Sequence, residues 1–199
     1  MHVHDRGAGC CADTRPLILA SGSPRRRELL ARMGYSFSTC TPDVDEHVSG
    51  HAREVVAILA QRKAQAACAM CEEGVIIASD TLVSLGGVPL GKPEDEQDAR
   101  RMLKNLSGRE HEVFTGVCIQ DAASGQSRTE VVRTGVVFRE LTDEEIDAYV
   151  ATGEPMDKAG AYAIQGGAGK FVERLDGSFE NVVGFPVDEV RSMLSLFGK

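Results

Sequence analysis

Short apolar runs alternate with amphipathic stretches along the chain, and this pattern predicts a mixture of strands and helices. Leu17–Ala20 and Val75–Ala78 are apolar throughout, so each is predicted to be a buried strand. Leu82, Val83 and Leu85 extend the second of these strands. Alternation or short apolar runs predict four more strands, which span Tyr35–Thr41, His111–Gln120, Glu130–Arg139 and Val172–Leu175.

The helix predictions rest on apolar residues spaced three or four apart and on signals at the helix ends. Gly34 is a C-terminal signal for the first helix, and Thr142-Asp-Glu-Glu145 is a capping box at the start of the fourth. The apolar face of the second helix is expected to hold Val56, Leu59, Ala60, Ala67 and Met70. The five predicted helices span Pro24–Met33, Ala52–Cys71, Glu94–Leu106, Thr142–Val150 and Asp188–Phe197.

Gly86-Gly87 predicts a hairpin turn, after which the return strand Val88–Leu90 leads into Gly91-Lys-Pro93. The run from Gly86 to Lys92 also matches the opening of a phosphate-binding P-loop. Pro93 excludes that interpretation, because it has neither a hydroxyl for Mg²⁺ nor an amide hydrogen for phosphate. A P-loop would moreover lie between a strand and a helix, not in a hairpin.

Small residues dominate the segment Met156–Gly167, in particular Ala159, Gly160, Ala161 and Ala163. Small side chains allow a backbone or a ligand to approach closely. The segment is predicted to contain a strand that opens into a loop at Gln165.

The chain has 199 residues, which is enough for one well-packed domain but not for two independent ones. Residues 1–15 are predicted to be a flexible extension and residues 16–199 a single domain. A net charge of -8 argues against a nucleic-acid partner, since such proteins carry basic surfaces. No apolar run approaches the roughly 20 residues of a membrane helix, so no membrane partner is expected. The six cysteines show no regular framework, which favours free thiols and a cytoplasmic location.

The start of the first helix has an unusual charge distribution. Ser23 is predicted to cap the helix and Pro24 to occupy its first position. Acidic residues normally follow, because the first turn carries the positive end of the helix dipole, but Arg25, Arg26 and Arg27 stand there instead. Three cations and exposed amides at a helix N-terminus favour a bound phosphate group. The alternative is that these arginines are solvated or paired with acids such as Glu28.

Three other features have both a functional and a structural interpretation. Asp43 and Asp45 share one side of an extended acidic loop, which is either a plain surface loop or a source of oxygen ligands for Mg²⁺ or Mn²⁺. Lys63 lies on the apolar side of the second helix and reaches either the solvent rim or a cleft. Asp80 interrupts an apolar strand, where a carboxylate needs a partner, so it is either a functional group or a structural hydrogen-bond acceptor.

The cysteine and histidine spacings carry little functional weight. Cys68-Ala-Met-Cys71 has C-x-x-C spacing but lies near the end of a helical run with no proline or aromatic residue between the thiols. His47 and His51 are four residues apart, but Val48 stands where a zinc-protease motif has glutamate. A redox or zinc function is therefore not expected.

Several short blocks, taken together, resemble the Maf-like nucleoside triphosphate pyrophosphatases, also called septum-formation inhibitor Maf proteins. They occur in the family's order and cover nearly everything from Leu17 to the end of the chain. Ser79 is a small departure, since many relatives have Gly or Ala there. The blocks are Ser21-Gly-Ser-Pro-Arg-Arg26, Ser79-Asp-Thr81, Gly91-Lys-Pro93, Leu106-Ser-Gly108 with Thr115-Gly116, and Asp157-Lys-Ala-Gly-Ala-Tyr-Ala-Ile-Gln-Gly166.

The resemblance implies an α/β fold like that of inosine triphosphatase, with an elongated mixed β-sheet, flanking helices and a cleft between two lobes. It implies hydrolysis of a nucleoside triphosphate to the monophosphate and pyrophosphate with a divalent metal cation (Mg²⁺, Mn²⁺ or Co²⁺), and it makes a homodimer plausible. Asp80-Thr81 and the run ending at Gln165 resemble the branch that acts on dTTP and UTP.

The resemblance also implies a role for each candidate site residue. Asp80 would be the proton acceptor and, with Asp45, a metal ligand, and Lys92 would be a catalytic cation. A nucleotide-sensing regulator of septum formation, without significant turnover, is the alternative function. The residues expected to bind substrate or select the base are Ser21, Ser23, Arg25, Arg26, Lys63, Thr81 and Gln165.

Overall fold

The structure is a computed structural model that describes residues 15–199. The extension predicted for residues 1–15 therefore lies outside the described residues except for Arg15. Within the described range, no helix combines the length and the apolar character that crossing a membrane requires.

Seven strands form one mixed sheet within residues 15–199, and helices flank it, as the resemblance implies. The hydrogen-bonded order is β2-β1-β3-β5-β6-β7, and β4 pairs with β3 beside this path. β1 pairs in parallel with β2 and β3, whereas the remaining pairs are antiparallel. The strands are β1 (Leu17–Ala20), β2 (Ser38–Cys40), β3 (Val75–Leu85), β4 (Val88–Leu90), β5 (Glu110–Asp121), β6 (Ser127–Phe138) and β7 (Val172–Asp176).

The helices cover both faces of this sheet. Small side chains let the longest helix approach closely, since Ala60, Ala64 and Ala67 pack in one buried cluster with Ala78 and Cys118. A larger cluster on the other face includes Leu30, Leu103 and Leu194 from three different helices. The helices are α1 (Pro24–Arg32), α2 (Ala52–Cys68), α3 (Glu96–Leu106), α4 (Asp143–Val150), α5 (Phe179–Val183) and α6 (Val187–Ser195).

Two predicted boundaries were too long. The strand predicted over Tyr35–Thr41 is confined to Ser38–Cys40, because its partner β1 has only four residues to pair with. The second helix ends at Cys68, and Met70, which was predicted to lie on its apolar face, is 62% exposed beyond the helix end.

The segment Met156–Gly167 contains no strand, so that prediction was wrong. The chain between residues 154 and 171 instead forms three short 3₁₀ turns, over Glu154–Asp157, Ala159–Ala161 and Gly167–Phe171. Gly160 has a φ of +71° inside the second turn, a left-handed conformation incompatible with a strand. Sequence analysis also missed α5, which is too short to show a helical period.

A gap in the sheet positions the candidate site. On one side of β3, pairing with β1 ends at Ala78 opposite Ala20, and pairing with β4 begins at Val83. Among the strands of residues 15–199, residues 79–82 therefore have a neighbour only on the β5 side. Asp80 and Thr81 both lie in this interval, and because side chains alternate along a strand they point to opposite faces of the sheet.

Candidate active site

A cleft of about 220 Å³ lies at this gap and gathers residues from six separate parts of the chain. Asp157 and Lys158, which the sequence analysis left without a role, also line it. The sequence feature that could have identified them is the block Asp157–Gly166, which is one of those that carry the family resemblance. Six of the predicted site residues line the cleft: Ser23, Arg25, Arg26, Thr81, Lys92 and Gln165.

The start of α1 carries Arg25 into the cleft. Pro24 occupies the first turn, which holds no acidic residue, as the sequence indicates. Ser23 is the N-cap residue, but its side chain makes no capping hydrogen bond, so the predicted cap was wrong. Ser21 provides the local bond instead, because its Oγ accepts from the Ser23 amide at 3.2 Å. Arg27 is exposed and does not line the cleft.

Arg26 braces the gap between β1 and β4. Its Nη1 donates to the Ser79 carbonyl at 2.8 Å and to Ser21 Oγ at 3.3 Å. Its Nε donates to the Gly184 carbonyl at 2.9 Å, and its Nη2 donates to Thr81 Oγ1 at 3.1 Å. Burial lowers the pKa of Arg26, while the charge of Asp80 opposes that shift. The prediction that Arg26 binds substrate remains untested, and the geometry assigns it first to holding the site together.

Asp80 and Glu46 converge on the ammonium group of Lys63. Lys63 Nζ lies 2.7 Å from Asp80 Oδ1 and 2.7 Å from Glu46 Oε1. α2 thus carries Lys63 to Asp80 and not to the solvent rim, although Lys63 is not among the residues that line the cleft. The hydrogen bond from Lys63 lowers the pKa of Glu46, and the charges of Lys92 and Arg26 add to the effect.

Glu46 is the site residue that sequence analysis missed. The acidic loop was singled out, but the alternation along an extended segment directed attention to Asp43 and Asp45. Asp45 Oδ1 instead accepts from the amide and the Nδ1 of His47, both at 2.9 Å. The bond from the His47 amide is the main reason why the pKa of Asp45 is lowered. The metal role of Asp45 stays a prediction.

Part of the cleft wall depends on a contact between two loops. The Gly160 amide donates to the Gly91 carbonyl at 3.0 Å, which joins the segment around Lys158 to the segment that carries Lys92. A Cβ at Gly160 would lie 3.0 Å from Val83 Cγ1, so the loop needs glycine to pack this closely. The contact brings Lys92 and Lys158 together in the lining of the cleft.

The donor set at Lys63 suits a divalent cation. Two carboxylates already converge on one positive charge there, and hard oxygen donors are the ligands that Mg²⁺ prefers. Among residues 15–199, no group of three or more His, Cys, Asp or Glu side chains is placed to hold a metal. Mg²⁺ is commonly bound by one or two carboxylates, with substrate phosphates and water as the other ligands. Asp80 and Glu46 fit that pattern.

The cysteine pair is separate from the cleft. Cys68 and Cys71 are free, and Cys71 Sγ lies 3.3 Å from the Ala67 carbonyl oxygen. Burial raises the pKa of Cys68 to about 11, which disfavours the thiolate that redox chemistry or zinc binding requires.

Comparison with known proteins gives a consistent result over nearly the whole described chain. Residues 16–197 match the family model described as Maf-like protein. A dTTP/UTP pyrophosphatase of Bdellovibrio bacteriovorus is 47% identical over 188 residues, which cover 91% of this chain and 98% of that protein. A dTTP/UTP pyrophosphatase of Geobacter sulfurreducens is 50% identical over 92% of this chain and 96% of its own length. A dTTP/UTP pyrophosphatase of Dictyoglomus turgidum is 44% identical over 92% of this chain and 97% of its own length.

Proposed function

This chain belongs to the Maf-like protein family, and we propose that it hydrolyses dTTP and UTP to the monophosphate and pyrophosphate. The observation that carries the proposal is the gap in the sheet. There Arg25 and Lys92 line one cleft, and Asp80, which does not itself line that cleft, lies in the strand segment at the gap.

The triphosphate is bound by the cationic part of the cleft. Arg25 and Ser23 approach it from the start of α1, where the helix dipole also favours an anion. Lys92 and Lys158 line the same cleft. Hydrolysis of a phosphoanhydride needs neutralisation of the phosphate charges and alignment of the attacking water, and these residues supply the first requirement.

Asp80 accepts the proton of the attacking water. Lys63 Nζ lies 2.7 Å from one oxygen of this carboxylate, Oδ1, and holds the group in a fixed orientation. A base of this kind typically contributes 10²–10⁴ in rate. Lys63 therefore acts through Asp80 as well as through its own charge.

Asp80 and Glu46 are the residues that would hold a divalent cation, and Asp45 is a further candidate from the sequence. When bound, such a cation lowers the pKa of a coordinated water and neutralises phosphate oxygens. Base selection is assigned to Arg25, Thr81 and Gln165, all of which line the cleft. A homodimer and a cytoplasmic location also belong to the proposal, the latter supported by the free cysteines of the described residues.

The test is pyrophosphate release from dTTP, UTP, CTP, dITP and 7-methyl-GTP by the purified protein with Mg²⁺ or Mn²⁺. We expect turnover of dTTP and UTP above the others. Tight nucleotide binding without product would instead support the sensing function.

The variant Asp80→Asn separates catalysis from binding. We expect kcat for dTTP to fall by about 10² or more, because the amide cannot accept the proton, with the far-ultraviolet circular dichroism unchanged. Asp188→Asn, a change at an exposed residue of α6, is the matched control and should keep the parent kcat. A near-normal kcat for Asp80→Asn at saturating metal would remove Asp80 from the role of base.

A further inference from the structure

Thr81, Thr115 and the Asn181 carbonyl form a series of hydrogen bonds behind the cleft. The carbonyl at the end of this series determines which atom donates in each bond. Thr81 and Thr115 face each other across β3 and β5, with their Oγ1 atoms 3.0 Å apart. Thr115 Oγ1 also donates to the Asn181 carbonyl at 2.9 Å. A carbonyl oxygen only accepts, so it takes the single hydroxyl hydrogen of Thr115. Thr115 must then accept from Thr81, and the hydrogen of Thr81 points away from the cleft.

Thr81 consequently faces the cleft as an acceptor. Its hydrogen is committed to Thr115, and one lone pair accepts from Arg26 Nη2 at 3.1 Å. A hydroxyl has two lone pairs, so one remains for a ligand. Phosphate oxygens are acceptors and gain nothing from this atom, whereas an N–H group does. Thr81 is therefore suited to the nucleoside part of the substrate and not to the phosphates.

Asn181, at the end of this series of hydrogen bonds, is held rigidly. Asn181 is fully buried at the start of α5, where its amide donates to Ser178 Oγ at 3.1 Å. Its side-chain nitrogen donates to Thr134 Oγ1 at 3.0 Å and to the Val113 carbonyl at 3.2 Å. Because Asn181 is anchored in this way and Thr115 is fully buried, the donor and acceptor roles in this series of hydrogen bonds do not easily reverse.

The cleft wall next to Thr81 is apolar, with Val83, Val113 and Val183 among its lining residues. Flat bases pack well against such a wall. Uracil and thymine carry a hydrogen on ring nitrogen N3, whereas the N3 of cytosine is an acceptor. We propose that Thr115 is a positioning residue that presents Thr81 as an acceptor and so favours bases with an N3–H over cytosine. This inference rests on the proposed pyrophosphatase function.

The test compares kcat/KM for UTP and CTP in the parent protein and in Thr115→Val. Valine has the shape of threonine without its hydroxyl, so the hydrogen of Thr81 is released and can turn toward the cleft. We expect the UTP-to-CTP ratio of kcat/KM to fall about tenfold, the size of one neutral hydrogen bond. Thr115→Ser keeps the hydroxyl and should keep the parent ratio. A loss of activity by Thr115→Val that is equal for both nucleotides would indicate a purely structural role and overturn the inference.

A second measurement needs no variant. The parent protein is assayed with 3-methyl-UTP, which lacks the N3 hydrogen, and with 3′-deoxy-UTP, which lacks the 3′ hydroxyl but keeps N3–H. We expect at least about a tenfold loss of kcat/KM with 3-methyl-UTP and a smaller loss with 3′-deoxy-UTP. The reverse order would assign the donor to the sugar and overturn the inference while leaving the pyrophosphatase function intact. An absence of turnover with UTP itself would overturn the proposed function, and the inference with it.

Discussion

Two adjacent carboxylates show how much the surroundings of a residue decide its chemistry. Asp45 and Glu46 are neighbours in the same acidic loop, but Asp45 Oδ1 bonds to His47 while Glu46 Oε1 lies 2.7 Å from Lys63 Nζ. Only Glu46 is linked through Lys63 to Asp80. We therefore expect Glu46 to contribute more to turnover.

The comparison of Glu46→Gln with Asp45→Asn tests this difference. Both changes replace a carboxylate by an amide of nearly the same shape. We expect kcat/KM for dTTP to fall about tenfold or more in Glu46→Gln, because a carboxylate of the proposed cation site is lost, and to fall less in Asp45→Asn. Titration of activity with Mn²⁺ should show the higher metal requirement for Glu46→Gln. The opposite order of effects would return the metal role to Asp45.

At the scale of elements, the site depends on how closely α2 approaches the sheet. A Cβ at Gly116 of β5 would lie only 2.3 Å from the carbonyl oxygen of Val56 in α2. Seven residues later, the same helix presents Lys63 to Asp80. Glycine at position 116 therefore sets the distance from which Lys63 reaches the strand.

Gly116→Ala should destabilise the protein, because backbone atoms of the helix must move to admit one methyl group. We expect the free energy of unfolding to fall by about 1–3 kcal/mol, the usual cost of overpacking. Urea denaturation followed by circular dichroism measures this change. Gly91→Ala is the control, because a Cβ there meets nothing within 4 Å. An unchanged midpoint for Gly116→Ala would mean that the helix can move away from the sheet at little cost.

At the scale of the whole molecule, one buried histidine links stability to pH. His111 is 1% exposed, packs edge-on against Phe138 and Tyr162, and lies with Nε2 2.9 Å from the Tyr162 hydroxyl. Burial lowers the pKa of His111 from 6.5 to about 4. The unfolded chain therefore binds a proton more readily than the folded chain between these two values.

Stability should decrease as pH falls through this window, since protons favour the state that binds them. Between pH 7 and pH 4.5 we expect His111 to contribute a loss on the order of 2 kcal/mol in the free energy of unfolding. Denaturation at both pH values in the parent and in His111→Phe isolates the contribution, which the variant should lack. His51→Gln, at an exposed position, should keep the parent dependence. If the free energy of unfolding of His111→Phe depends on pH as strongly as that of the parent, groups other than His111 cause the loss of stability.

Many elements were predictable because their signals are local. Thr142 and Glu145 form the capping box that their spacing predicts, and Gly86-Gly87 forms the predicted hairpin turn. Buried strands such as Val75–Ala78 were recognisable because apolar side chains must leave water. The predictions failed where local signals are weak. β2 is short because its partner is short, and α5 has too few residues for a period.

The sequence by itself determined most of the strands and helices, the family resemblance and the residue types suited to phosphate, because short-range patterning and side-chain chemistry decide these. Only the tertiary structure decided which side chains meet. It placed Glu46 beside Lys63 and gave Arg26 a structural role at the gap in the sheet. It also oriented the hydroxyl of Thr81 through Thr115. These relations join residues that are 17 to 158 positions apart. They follow from sheet register and helix packing, which no short stretch of the chain encodes.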